Sequence, residues 1–125
     1  MSEPSIDPGL LAAFRRAVRN KIARDLEREE DEARELRAAV MAKLSPALAH
    51  ARAGGLCEDA WLFGSFAWGT PRDASDIDLL VAGCSDPDAL GGRLMMATSR
   101  AVHVVPMEQA PASLKERVLA EGTRL

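Results

Sequence analysis

Cysteine is scarce: Cys57 and Cys84 are the only two in 125 residues. They stand outside any Cys-x-x-Cys spacing, so they build no disulfide framework. With only His50 and His103 beside them they form no zinc pattern. Reduced, partly buried thiols are the expected state. Long apolar runs are also missing, and none approaches the roughly 20 residues that a membrane helix needs. Ser2, Glu3 and Asp7 occupy the stretch where a secretory signal would be basic and then apolar. Neither a membrane nor secretion is expected, and a cytoplasmic location is. Positive charge is not in excess, since 16 Lys and Arg face 19 Asp and Glu for a net charge of −3. That balance lacks the basic field of a nucleic-acid binder, so no direct nucleic-acid contact is expected. Internal repeats and low-complexity tracts are absent too.

The first half of the chain reads as helix. Asp7 is placed to cap it and Pro8 to open it, where a missing N–H costs nothing. Leu11, Phe14, Val18, Ile22 and Leu26 follow at three- to four-residue intervals and mark one face. The charged stretch 27–35 holds no Gly or Pro and continues the helix. Leu36, Val40, Leu44 and Leu48 then restore the apolar face. Ser45-Pro46 is the one expected kink or restart, and Gly54-Gly55 ends the helical half. So long an amphipathic element exceeds what one small core can cover. Residues 8–35 either fold back on the chain's own sheet or pack against a second copy or a partner. The apolar seam is too irregular for a coiled coil.

The second half has α/β texture. Residues 60–63 form a short apolar strand leading into Gly64-Ser65, and residues 65–69 begin a short helix. A second strand covers 76–82, a helix 88–99 and a third strand 101–105. A last helix over 111–121 stops at Gly122.

The chemistry concentrates in Gly64-Ser65-Phe66-Ala67-Trp68-Gly69 and Ser75-Asp76-Ile77-Asp78. Residues i and i+2 of a strand project to the same side. Asp76 and Asp78 therefore face one way while Ile77, Leu79 and Val81 face a core. Two adjacent carboxylates repel one another unless a cation sits between them. A hard ion such as Mg²⁺ suits one or two carboxylates together with substrate phosphates. Gly64 admits close approach of a phosphate to the backbone, Ser65 offers it a hydroxyl, and Gly69 permits a turn or close packing. The pattern describes a metal–nucleotide site.

Taken together, Gly64-Ser65, Gly69 and Ser75-Asp76-x-Asp78 before an apolar strand resemble the signature of the DNA polymerase beta-type nucleotidyltransferases. The brevity of the chain narrows the resemblance to the minimal nucleotidyltransferase group, which often supplies the antitoxin of two-gene toxin–antitoxin pairs. It implies an α+β fold: a small mixed β-sheet with helices packed on one face, preceded by a long N-terminal helical segment. Residues 1–54 would be the helical extension, a possible oligomer or partner interface, and 55–125 the nucleotidyltransferase domain.

The implied activity is transfer of NMP from an NTP, ATP in the first instance, to a hydroxyl. Asp76 and Asp78 would hold Mg²⁺ or Mn²⁺, and Gly64, Ser65, Gly69 and Ser75 would bind nucleotide phosphate. The acceptor would lie on a partner protein, and the resemblance implies a helical toxin of the HEPN ribonuclease type. Homo- or hetero-oligomers would form through the N-terminal helices.

The chain departs from the pattern at two places. The expected third carboxylate on the next strand is His103, which can act as a base but brings no negative charge for a second Mg²⁺. Trp68 stands where such proteins often carry arginine, and Arg72 or an indole–base stack would have to compensate. Glu108 could replace the missing acid only if its loop folded back. An alternative therefore stands beside the enzyme: a binding module that neutralises or scaffolds its partner by contact alone.

Overall fold

The computed structural model describes residues 6–125, so Ser2 and Glu3 lie outside the described residues. Helix α1 spans Pro8–Ala53, strand β1 Asp59–Phe63, strand β2 Ile77–Ala82 and helix α2 Pro87–Thr98. Strand β3 covers Val102–Pro106, helix α3 Ala112–Glu121 and strand β4 Thr123–Arg124. Single 3-10 turns follow β1 at Gly64–Phe66 and β3 at Met107–Gln109.

The sequence start signal of α1 is realised. Asp7 Oδ2 accepts the Leu10 N–H at 3.3 Å, and Pro8 occupies the first turn. The helical half is one continuous helix, and it passes through Ser45-Pro46 without the restart expected there. Packing explains this. Leu44 and Leu48, on either side of the proline, are 0% and 1% exposed. Burying two leucines yields about 1.5–3 kcal/mol each, enough to offset the ~3 kcal/mol that an interior proline costs. Pro46 itself faces outward.

The chain divides into two compact units, Met1–Glu32 and Ala33–Leu125. Within the first, Leu10, Phe14, Val18, Ile22 and Leu26 are all exposed. The second holds a four-stranded mixed sheet in the order β3-β2-β1-β4. Strand β1 is antiparallel to β2 and β4, and β2 is parallel to β3. On one face Leu62, Leu79 and Val81 pack with Val40, Leu44 and Leu48 of α1 and Leu90 and Leu94 of α2. On the other, Phe63 and Leu80 pack with Leu114 and Val118 of α3. This is the α+β architecture of the sequence reading: α1 and α2 form its helical layer, and α3 covers part of the second face.

The chain reversals use ordinary local chemistry. Asp86 caps α2 by accepting the Ala89 N–H at 3.1 Å, and the helix ends at Ser99 in the left-handed region with φ 55°. The two-residue β4, invisible as a pattern, joins the sheet through Thr123 and Arg124. Arg124 Nη2 also reaches Asp59 Oδ1 at 3.0 Å. Cys57 is buried and Cys84 half-buried, and both are free thiols raised above their usual pKa, mainly by burial. Among the described residues no helix is long and apolar enough to cross a membrane.

Candidate functional site

Asp78 is the second residue of β2, on the face it shares with Leu80 and opposite the Ile77, Leu79, Val81 core face. Its register partners are Phe63 on β1 and His103 on β3. The sheet therefore sets the end of β1, the carboxylate of β2 and the imidazole of β3 side by side. His103 Nδ1 stands 3.6 Å from Asp78 Oδ1, with the imidazole 69% and the carboxylate 25% exposed.

Gly64, the first residue after β1, adopts φ +74° in the left-handed region. A Cβ added there would collide with the Asp78 carboxylate. Only glycine meets both demands, and its backbone therefore lies directly against that acid. Gly69 closes the same loop: a Cβ on it would sit 2.9 Å from Ser65 Cα. The glycine–serine turn and the carboxylate of the sequence motif are neighbours in space.

Asp76 precedes β2 and is exposed. Its charge reaches Asp78, whose carboxyl is held above the usual range. Burial is the main cause, His103 opposes it and Asp76 adds to it. A carboxylate raised by burial, with a second acid close enough to repel it, accepts a divalent cation readily. The donor set fits an ion that keeps phosphate or water ligands. It does not make an all-protein cage, since no group of three or more His, Cys, Asp or Glu among the described residues is arranged to hold a metal.

One sequence expectation is modified. The short helix expected over 65–69 is a single 3-10 turn, Gly64–Phe66, in which Gly64 O accepts both the Ala67 and the Trp68 N–H at 3.0 Å. Ser75 Oγ accepts the Arg72 N–H at 2.9 Å and so shapes the loop before Asp76.

Glu108 follows the far end of β3, on the turn after Pro106, and its charge acts on Cys84 rather than on the Asp pair. It does not stand in for the missing acid. Trp68 packs against Phe63 with ring centroids 6.1 Å apart, inside the α3-side cluster. Arg117 of α3 lies 4.1 Å over the indole. A cation thus returns to the neighbourhood of Trp68 from a distant helix, while the backbone of Arg72 bonds within its own loop. Trp61 is half-buried on the same sheet face, and His50 is exposed.

Two arginines that local sequence does not single out hold the loops in place. Arg37 of α1 donates from Nε to Phe66 O at 2.8 Å and from Nη2 to Gly69 O at 3.1 Å. Arg100 donates through Nη1 to Asp73 O at 2.6 Å and Ser75 O at 2.9 Å, with a longer contact to Arg72 O at 3.4 Å. Arg37 pins the glycine–serine loop and Arg100 the loop that delivers Asp76. Their partners lie 25–32 residues away in sequence, and no local pattern encodes that pairing.

Residues 57–125 match the polymerase beta nucleotidyltransferase family. A solved structure described as a minimal nucleotidyltransferase superposes with a TM-score of 0.61 at 27% identity, over 71% of this chain and 95% of that one. A toxin–antitoxin complex with AMP-PNP gives a TM-score of 0.53 at 24% identity, over 63% of this chain and 69% of that one. A variant of the MntA-HpeT toxin–antitoxin gives 0.52 at 26% identity, over 65% and 69% respectively. No curated protein matches the chain. On the evidence of the matched span, the turn at Gly64 and the acids Asp76 and Asp78, the chain belongs to the polymerase beta nucleotidyltransferase family.

Proposed function

We propose that the protein is a minimal nucleotidyltransferase that transfers NMP from ATP to a hydroxyl on a partner protein, acting as the antitoxin of a toxin–antitoxin pair in the cytoplasm. The observation that carries this reading is the seating of the Gly64 backbone against the Asp78 carboxylate, with Asp76 beside it. A nucleotide triphosphate needs a backbone free of side chains next to acids that share its cation. The approach of the Gly64 backbone to Asp78 supports this reading.

In this reading Asp76 and Asp78 hold Mg²⁺ or Mn²⁺, which neutralises phosphate charge and polarises the α-phosphate when bound. Gly64, Ser65 and Gly69 cradle the phosphates, and Ser75 fixes the approach of Asp76. The acceptor hydroxyl attacks the α-phosphorus in line, the bond to the β-phosphate oxygen breaks, and pyrophosphate leaves. His103, exposed and next to Asp78, takes the hydroxyl proton. Solved neighbours are toxin–antitoxin complexes. A helical toxin of the HEPN type is the proposed acceptor and partner.

One observation favours a second reading. A histidine stands at the register position of the third carboxylate, so the acid set is short by one negative charge. A contact-only antitoxin would tolerate that loss. Incubation with α-labelled ATP, Mg²⁺ or Mn²⁺ and the co-encoded toxin separates the two. Label on the toxin, abolished by Asp76→Ala, supports transfer. Neutralisation of the toxin that persists unlabelled and survives Asp76→Ala supports contact alone.

A further inference from the structure

The first turns of α1 carry a feature that nucleotide chemistry does not use. Leu10, Phe14, Val18, Ile22 and Leu26 recur at i+4 intervals, and each is 40–65% exposed. They lie before residue 57, outside the span that matches the family, and within a unit, Met1–Glu32, in which none of the described residues is buried. Phe14 and Val18 line a shallow depression with Arg15 and Arg19. A contiguous exposed apolar ridge of this length marks an interaction surface.

The charge around the ridge says what covers it. From Pro8 to Arg24 the helix carries Arg15, Arg16, Arg19, Lys21 and Arg24 and no acid, whereas residues 27–35 hold six acids and two arginines. A second copy is disfavoured by this layout. Stacking ridge on ridge in antiparallel fashion sets Leu10 against Leu26 and Phe14 against Ile22, and the same register sets Arg15 against Lys21. Parallel stacking also superposes the five cations. Sliding the basic block onto the acidic block of a copy relieves the repulsion but lays the ridge on a polar segment.

Shape narrows the occupant further. Each i+4 step advances about 40° around the helix, so the ridge winds through about 160° between Leu10 and Leu26. A flat bilayer meets only part of such a ridge, and the acids that follow would be repelled by anionic lipid. Ridges of i±4n residues instead fit the i±4n grooves of another helix crossing at about −50°.

We propose that residues 10–26 of α1 are a docking arm for a helical protein whose apolar surface groove is edged by Asp and Glu. The arm is independent of nucleotidyl transfer and would serve the catalytic and the contact-only readings equally.

The test places the photo-crosslinker p-benzoyl-phenylalanine at position 14 of the full chain, in the cell that makes it. The crosslinked peptide is then identified, and the adduct protein is purified and titrated against the unmodified chain. The expected result is one heterologous protein, crosslinked on a helix face flanked by acids. Its affinity should fall at least about tenfold with Phe14→Asp/Ile22→Asp, and as much with Arg15→Glu/Arg19→Glu. It should also weaken as salt rises. Unchanged circular dichroism of both variants shows that α1 remains folded. The proposal is overturned by adducts only with a second copy, with lipid or with nucleic acid, or by no adduct. It is equally overturned by binding to vesicles of equal phosphatidylglycerol and phosphatidylcholine that the same substitutions abolish, or by charge reversal that leaves the purified pair's affinity unchanged.

Discussion

His103 Nδ1 lies 3.6 Å from Asp78 Oδ1, across the parallel pair of β2 and β3, at the register position where related enzymes are expected to carry an acid. The imidazole is the more exposed of the two and the one proposed to take the hydroxyl proton. His103→Ala is therefore expected to lower nucleotidyl transfer roughly 100-fold while leaving nucleotide affinity within a few-fold, since a lost general base typically costs 10²–10⁴. Initial rates with α-labelled ATP and the partner protein check this. An unchanged rate would remove His103 from the chemistry.

Asp78 carries a stability cost that a cation or a neutral isostere should relieve. Its carboxyl is raised above the ordinary 3.8, first by burial. Between that value and the raised one, the folded state binds more protons than the unfolded state, so stability falls as pH rises through the window. Above it the full cost persists to neutral pH. Asp78→Asn is expected to melt higher than the unmodified protein at pH 7 in EDTA, and to show no advantage below the ordinary carboxyl range. Mg²⁺ should raise the melting temperature of the unmodified protein and leave that of the variant unchanged. Thermal scans across pH, with and without Mg²⁺, provide the comparison.

Gly64→Ala is expected to be costly on two grounds. Its φ of +74° lies in the left-handed region, and its Cβ would strike the Asp78 carboxylate. The strain alone amounts to about 1–2 kcal/mol, and displacement of Asp78 adds the loss of nucleotide binding. Urea unfolding together with nucleotide titration measures both. A fully stable variant that binds nucleotide normally would refute the close packing described here.

Arg100 holds the carbonyls of Asp73 and Ser75, and Arg37 those of Phe66 and Gly69. Arg100→Ala is expected to cost about 1.5–3 kcal/mol, the range for hydrogen bonds to a charged group. It should also raise the KM for ATP more than it lowers kcat, because the loop it releases positions Asp76. Arg100→Lys should recover only part, since one ammonium cannot reproduce the planar fork. Steady-state kinetics and urea melts distinguish this from a purely structural effect, which would leave KM unchanged.

How much of this was legible in the chain follows from where each signal resides. Asp76, Asp78 and Gly64 announce themselves through local spacing, because strand alternation and a glycine before a polar turn are properties of short windows. Asp7 and Pro8 likewise mark the start of α1. The continuity of α1 through Pro46 was not legible, since it depends on Leu44 and Leu48 finding a sheet that lies later in the chain. Arg37, Arg100 and Arg117 were invisible for the same reason: each acts on a backbone or ring brought to it only by folding. Strand β4 is two residues long and carries no period at all.

Equilibrium binding of a non-hydrolysable ATP analogue, with and without Mg²⁺, tests the central claim most directly. Saturable binding that requires the cation, and that Asp76→Ala/Asp78→Ala eliminates in a protein that remains folded, is the expected result. Binding of equal strength in EDTA, or retained by the double variant, would contradict the assignment of these two acids to a metal–nucleotide site.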